Sequence, residues 1–283
     1  MLTFTILGAS GFLGRALTDA LQAEGHTVHP VTRSALPALL ESRRNAGHVI
    51  DCIGLTADFR VRPYDTAEAH VGITARALAG LRCNSFLFLS STRVYARADV
   101  THEDAALPLQ PHDPSDLYNL TKLTGEALCL GDSRPTVRVA RLSNIYGLAM
   151  GIDAFLGQVL QEGIATGTVQ FRQAPDSAKD YISLAQLVRL LPAIATAGRR
   201  RLYNVASGRN TSHAAIAAGL TRHFGWRCRF APGAPTLAFP PIDTTRLTAE
   251  FGPALSDLSE DLPTLVPNPT EVPCSPSTRP VAA

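Results

Sequence analysis

The 283-residue chain contains no apolar run close to the ~18 residues that cross a bilayer, which removes membrane-spanning helices from the expected roles. Its opening apolar stretch, Met1 to Leu7, is too short for a signal peptide and has no basic segment before it, so a cytoplasmic location is expected. Neither sign of charge dominates. Lys and Arg total 26 against 24 Asp and Glu, for a net charge of +2, and the longest basic run is Arg199-Arg200-Arg201. Nucleic acid and membrane surfaces are therefore not the expected partners, and the arginine run reads as a solvated turn. The five cysteines (Cys52, Cys83, Cys129, Cys228, Cys274) never take C-x-x-C spacing, which favours reduced thiols over a disulfide framework or a metal site. The eight histidines are scattered; His213 and His223 stand ten residues apart on one expected helix, with no metal-ligand pattern, and no metal is expected. There is no internal repeat.

What is present is enough apolar material for a core, 45% of residues, arranged as alternating strands and helices. Strands are expected at 2–7, 28–32, 49–53, 86–89 and 137–142. Helices are expected from Leu13, and over 36–44, 67–81 and 117–130. Runs such as Phe86-Leu87-Phe88-Leu89 are continuously apolar, as strands covered on both faces are. The pattern predicts an α/β fold: a doubly wound parallel sheet of Rossmann type over residues 1–150, with a smaller C-terminal substrate lobe over 151–262 that could return strands to the main sheet. In the lobe, helices fit 154–162, 183–195 and 212–224, and strands fit 168–172 and 202–205. Phe224 and Trp226 read as lobe core. From Pro263 on, six of 21 residues are proline, and residues 263–283 read as a disordered tail.

Gly8-Ala9-Ser10-Gly11-Phe12-Leu13-Gly14 ends the first strand and opens the first helix. Glycines at this spacing allow a tight turn and close approach of backbone to a diphosphate, and the helix N-terminus offers free N–H groups. Gly8, Ser10, Gly11, Phe12, Leu13 and Gly14 are thus the expected dinucleotide cradle. The second strand ends Val31-Thr32-Arg33-Ser34, without the acid that reads an unphosphorylated ribose, whereas Arg33 suits a 2′-phosphate. The expected cofactor is therefore NADP(H) in preference to NAD(H).

Tyr118-Asn119-Leu120-Thr121-Lys122 places a phenol and an amine on one face of an expected helix. Lys122 is expected to hold the cofactor ribose and to lower the pKa of Tyr118, so that Tyr118 exchanges a proton with a substrate oxygen. Ser90 and Ser91 close the fourth strand, where a hydroxyl can orient that oxygen. His102 and His112, in the loop before Tyr118, read as solvated.

With these motifs the chain, from about residue 3 to 252, resembles the extended short-chain dehydrogenase/reductase family, in its nucleotide-sugar epimerase/dehydratase branch. Carrying the resemblance are Gly8–Gly14, Ser90-Ser91-x-x-Val94-Tyr95, Tyr118–Lys122 with Glu126, and Arg141–Gly147. Lys179-Asp180-Tyr181-Ile182 and Tyr203-Asn204-Val205 look like later landmarks. The resemblance implies Ser91, Tyr118 and Lys122 as catalytic residues. It also implies Ile53, Gly54 and Leu55, with Tyr118 and Lys122, beside the cofactor, and Asn144 and Thr92 beside the substrate. A homodimer through two helices of the Rossmann half is a family-level expectation. There are departures. His70 stands in place of an asparagine that props the active-site helix. Thr92 and Arg93 replace the Asp-Glu pair of sugar 4,6-dehydratases, which argues against water elimination. Only fifteen residues separate Arg33 from Val49, an abbreviated adenine side. Lys179 replaces an arginine and Gln186 an aspartate in the lobe.

The expected function is an NAD(P)-dependent oxidoreductase moving a hydride at a sugar carbonyl or hydroxyl, foremost a nucleotide-sugar ketoreductase. The alternatives are a nucleotide-sugar epimerase that retains NAD, and a non-catalytic dinucleotide sensor or scaffold. The presence of both Tyr118 and Lys122 ranks the sensor last.

Overall fold

A computed structural model of the chain describes residues 1–55, 58–148, 150–151, 154–237 and 239–266. The Rossmann half begins β1 (Thr3–Leu7), α1 (Phe12–Ala23), β2 (Thr27–Val31), α2 (Leu36–Glu41) and β3 (His48–Asp51). It continues through α3 (Pro63–Ala67), a π-helical turn (Glu68–Gly72), α4 (Ile73–Gly80), β4 (Ser85–Ser91), α5 (Asp116–Gly131) and β5 (Val137–Leu142). Beyond it lie β6 (Asn144–Tyr146), α6 (Phe155–Thr166), β7 (Thr168–Phe171), β8 (Ala178–Ser183), α7 (Leu184–Ala197), β9 (Leu202–Val205), β10 (Asn210–Ser212), α8 (His213–Phe224), β11 (Arg227–Phe230), α9 (Thr245–Phe251) and α10 (Leu258–Asp261).

Six parallel strands form the main sheet in the order β2-β1-β3-β4-β5-β9. Rossmann folds of order 3-2-1-4-5-6 carry a further strand outside the second. Here β2 is the edge, which is the structural consequence of the short span between Arg33 and Val49. The strand order reverses between β1 and β3, and a crevice at the C-terminal ends of those strands is where such sheets bind ligands.

Helices cover both faces. On one side Leu13, Leu17 and Leu21 of α1, at helical spacing, pack with Leu187, Leu190, Leu191 and Ile194 of α7 against Phe4, Ile6, Ile50 and Leu87. On the other, Leu36 and Leu39 of α2, Ile73 and Ala77 of α4, and Cys129 of α5 meet Val49, Phe86 and Phe88. Each fully buried side chain of this size contributes ~1.5–3 kcal/mol. Helix α7 and strand β9 thus belong to the Rossmann half, although they follow the expected boundary at residue 150.

The lobe proper has its own core. Leu156 and Leu160 of α6, Val169 and Phe171 of β7, and Ile216 and Leu220 of α8 pack with Tyr146, Tyr181, Leu258, Leu262 and Leu265. Phe224 and Trp226 stack at 4.8 Å against that core, as expected. Leu262–Leu265 forms a 3-10 turn with both leucines buried, so the chain is packed through Pro263 to Leu265, where a disordered tail was expected from residue 263. Residues 267–283, Cys274 among them, lie outside the described residues. The helix expected to Arg44 ends at Glu41, and Arg43 takes a positive φ of 50° as the chain turns away. The one expected helix over 67–81 begins earlier, at Pro63, and contains the π-turn.

Candidate active site

The glycine turn is built for a ligand that needs backbone. Gly8 has φ +77°, a conformation unfavourable for other residues. A Cβ on Gly14 would lie 2.3 Å from the Gly8 carbonyl oxygen, so α1 approaches the turn closely only because that position is glycine. A Cβ on Gly11, by contrast, would meet only that same oxygen, at 3.3 Å, and otherwise open space. The α1 N-terminus carries no side-chain cap and no acid in its first turn. Its N–H groups and dipole therefore suit a diphosphate, and these residues fit a nicotinamide dinucleotide. Gly8 N–H donates to Val31 O at 2.8 Å, which ties the turn to the end of β2, two residues before Arg33. Arg33 is exposed, in a short 3-10 turn, and no acid of the described residues pairs with it.

Strand β3 ends beside this turn: a Cβ on Gly8 would come within 3.0 Å of Cys52 C and Ile53 N. The loop that follows is held by Asp51. This fully buried carboxylate accepts from Ile53 N–H at 3.1 Å and from the Thr74 hydroxyl at 3.1 Å. Burial pushes its pKa up to about 6, against the pull of its two donors and the Lys122 charge. Next, Leu55 N–H donates to His70 Nε2 at 3.2 Å. The neutral ring then carries its proton on Nδ1, which donates to Thr121 Oγ1 at 2.8 Å; that hydroxyl donates in turn to Tyr118 O at 3.0 Å. The π-turn sets His70 edge-on against the Tyr118 ring, with centroids 5.2 Å apart. Burial and the nearby Lys122 charge push the His70 pKa down to about 2, so it is a neutral strut between the Ile53–Leu55 loop and α5.

Tyr118 and Lys122 lie one turn apart on α5, both buried. Lys122 Nζ donates to Leu89 O at 2.8 Å, near the end of β4, and sits 6.0 Å from the Tyr118 ring centre. A Cβ on Gly54 would lie 3.6 Å from both Lys122 Nζ and His70 Nε2, so the amine borders the loop that follows β3. Burial lowers the Lys122 pKa to about 8, partly offset by Asp51 and Glu126. Ser91 caps a 3-10 turn, Thr92–Tyr95, by accepting from Arg93 N–H at 3.2 Å. Tyr118 is raised above the usual phenol range by burial, and the groups that pull it down are the Ser91 hydroxyl and the Arg93 charge. The expected influence of Lys122 on Tyr118 is not among them.

The structure thus brings together the glycine turn, Ile53–Leu55, Ser91, Tyr118 and Lys122. Thr92 is buried in the turn after Ser91. Asn144 is exposed and donates to Asp180 O at 2.8 Å, with no hydrogen bond to Ser91, Tyr118 or Lys122 among the described residues. Sequence reasoning missed Asp51, Thr74 and Thr121. It also missed Phe59, whose ring lies 5.5 Å from that of Tyr118. No motif marks them; an acid at the end of an otherwise apolar strand, Val49-Ile50-Asp51, is the one signal that was available.

The fold has relatives among known proteins. The computed structure superposes on that of MoeE5 in complex with UDP-glucose and NAD with a TM-score of 0.76 and 21% identity, covering 93% of this chain and 97% of that one. It superposes on TunA, an NAD-dependent NDP-hexosamine 5,6-dehydratase of tunicamycin biosynthesis, with a TM-score of 0.79 and 20% identity over 93% and 96% of the chains. A dTDP-4-dehydrorhamnose reductase of Mycolicibacterium smegmatis is 30% identical over 161 residues, 52% of this chain; the match spans 47%, about half, of that protein. The profile of the NAD dependent epimerase/dehydratase family matches residues 4–206, most of the chain and every element that carries the glycine turn, Ser91, Tyr118 and Lys122. The chain belongs to the NAD-dependent epimerase/dehydratase family.

Proposed function

We propose that the chain is a nucleotide-sugar ketoreductase that uses NADP(H) in preference to NAD(H). The observation that carries this is the placement of Tyr118 and Lys122 on one face of α5, against Ser91 on one side and the Gly54 loop on the other. Gly8, Ser10, Gly11, Phe12, Leu13 and Gly14 would hold the cofactor's diphosphate. Ile53, Gly54, Leu55 and Lys122 would lie on its ribose side, and Arg33 would hold the 2′-phosphate at the edge strand. When bound, the nicotinamide supplies or accepts the hydride. The Ser91 hydroxyl donates a hydrogen bond to the substrate's carbonyl oxygen and polarises it. Tyr118 Oη would give its proton to that oxygen, and regain a proton from solvent before the next turnover. The Ser91 hydroxyl and the Arg93 charge stabilise the phenolate left behind, since both favour ionised Tyr118. Lys122, anchored on Leu89 O, keeps its remaining N–H donors for the ribose hydroxyls. Thr92 and Asn144 are assigned to the substrate side.

Mass spectrometry of the nucleotide released on denaturation tests the cofactor, and NADPH oxidation with 4-keto-sugar nucleotides tests the reaction. NADP(H), or an empty protein that oxidises NADPH on a keto-sugar nucleotide, supports the reading; near-stoichiometric NAD overturns it. A second reading, an epimerase that retains its NAD, is favoured by structural relatives that are described as NAD complexes, among them a UDP-glucuronic acid 4-epimerase from Bacillus cereus. Near-stoichiometric NAD with interconversion of sugar epimers is its signature.

A further inference from the structure

We propose that the reacting sugar carries a carboxylate, and that Arg93 is the residue that reads it. This rests on the reading of the site as a nucleotide-sugar site. Arg93 follows Ser91 by two residues, in the turn that closes β4. Its guanidinium carbon lies 6.0 Å from the Tyr118 ring centre and 5.5 Å from that of Phe59. One edge is engaged, with Nη2 donating to Ser115 O at 3.2 Å. Nε is buried and has no partner among the described residues. No described carboxylate lies within 4 Å of the guanidinium. The acids near it are committed elsewhere: Asp113 and Asp116 both pair with Arg97, and Asp116 also accepts from Gln110 N–H at 2.8 Å and Asn119 Nδ2 at 2.9 Å.

The surroundings add positive charge rather than cancel it. Arg60 lies over the other ring contact, 4.4 Å from the centre of Phe59. Across the gap to the lobe, the mostly buried Lys179 stands 5.8 Å from the ring centres of Phe155 and Phe239, and feels the Arg93 charge. No described acid is within 4 Å of Lys179 either. Nη1 makes no hydrogen bond among the described residues and, unlike Nε, is not shut off from solvent, so the open end of this half-buried cation is where an anion can complete it. The two buried arginines of β5 are both completed, Arg141 by Glu126 at 2.6 Å and Arg138 by the carbonyls of Gly198, Ala195 and Thr136, whereas Arg93 has a single carbonyl. A planar guanidinium edge matches a carboxylate in geometry as well as charge. Its position over Tyr118, beside Ser91, puts that anion on the sugar that reacts. The carrier diphosphate is the other source of negative charge, and the experiment separates the two.

UDP-glucuronate and UDP-glucose, and the same pair on dTDP, differ only in the C6 carboxylate. Their kcat/KM, or binding constants with cofactor present, are compared in the wild type, Arg93→Gln and Arg93→Lys. The wild type is expected to favour the carboxylated member of a pair by at least about 10-fold. Arg93→Gln should lower the ratio of kcat/KM for the carboxylated member to that for the neutral one by about 10- to 100-fold, any loss through Tyr118 falling on both alike, with Arg93→Lys recovering part of the preference. Equal use of both sugars by the wild type overturns the proposal without recourse to a variant. An unchanged ratio in Arg93→Gln also overturns it, and leaves Arg93 to the diphosphate or to Tyr118 alone. Tight NAD(P) binding with no binding or turnover of any of the four sugars sinks the nucleotide-sugar reading itself, and the proposal with it.

Discussion

Two groups of buried charge flank helix α5, and they are built on opposite plans. Behind the helix, Glu126 accepts from Arg141 Nη2 at 2.6 Å and from the Ser90 hydroxyl at 2.5 Å. Arg141 Nη1 donates to Tyr95 Oη at 2.6 Å, whose hydroxyl donates to Asn204 Oδ1 at 2.9 Å, while Asn204 N–H donates to Glu103 at 2.9 Å. Arg246 completes Glu103. Every charge there has its opposite, and β4, α5, β5 and β9 are fastened by it. In front of the helix, Lys122, Arg93 and Lys179 have no carboxylate of the described residues within 4 Å. A closed network of this kind holds geometry, whereas an open one leaves electrostatic work for a ligand.

Breaking the closed group should cost the most stability. Glu126→Ala leaves Arg141 buried without its anion, and the unfolding free energy in urea should fall by about 3–5 kcal/mol. A change below about 1 kcal/mol would erase the distinction drawn between the two groups. At the cofactor turn, Gly14→Ala puts a methyl against the Gly8 carbonyl oxygen. NAD(P) affinity should fall by at least about 10-fold, with urea stability shifted by ~1–3 kcal/mol from overpacking.

His70 sharpens the comparison through pH. Its folded pKa of about 2 lies below the ordinary 6.5, so the unfolded chain binds more protons across that interval. The His70 contribution is complete above pH 6.5 and is lost as pH falls. Between pH 6.5 and 5 the loss is about 2 kcal/mol. Asp51, raised to about 6, acts in the opposite sense: its contribution is complete below 3.8 and is lost as pH rises through 6. His70→Asn should therefore flatten the acid side of the stability profile, and a profile that stays as steep would remove the neutral strut from the account. The smallest effect is expected at the exposed edge. Arg33→Ala should raise the KM for NADPH about 10-fold and leave that for NADH nearly unchanged.

The parts of this site that the sequence made legible are those set by local spacing. Gly8 to Gly14 spans one turn and one helix start, and Tyr118 and Lys122 need only a helix to share a face. Strands β6, β8, β10 and β11 escaped notice because runs of three to six residues carry little periodicity and take their form from distant partners. The return of Leu202–Val205 to β5 could be entertained from sequence, while the packing of α7 across α1 could not. Long-range polar pairs are the least legible of all. Glu126 and Arg141 were visible as family landmarks, yet their direct pairing depends on α5 crossing β5. The strut from Leu55 through His70 to Thr121 joins segments 15 and 51 residues apart.

The central claim is that the open group around Tyr118 is where chemistry occurs. Its most direct test is a single-turnover measurement with Tyr118→Phe, following NADPH oxidation by a keto-sugar nucleotide beside the dissociation constant for NADPH. The account predicts a rate ~10²–10⁴-fold below wild type with cofactor affinity changed less than about threefold. A variant that turns over at the wild-type rate would contradict it, and would return the chain to a role in binding the dinucleotide alone.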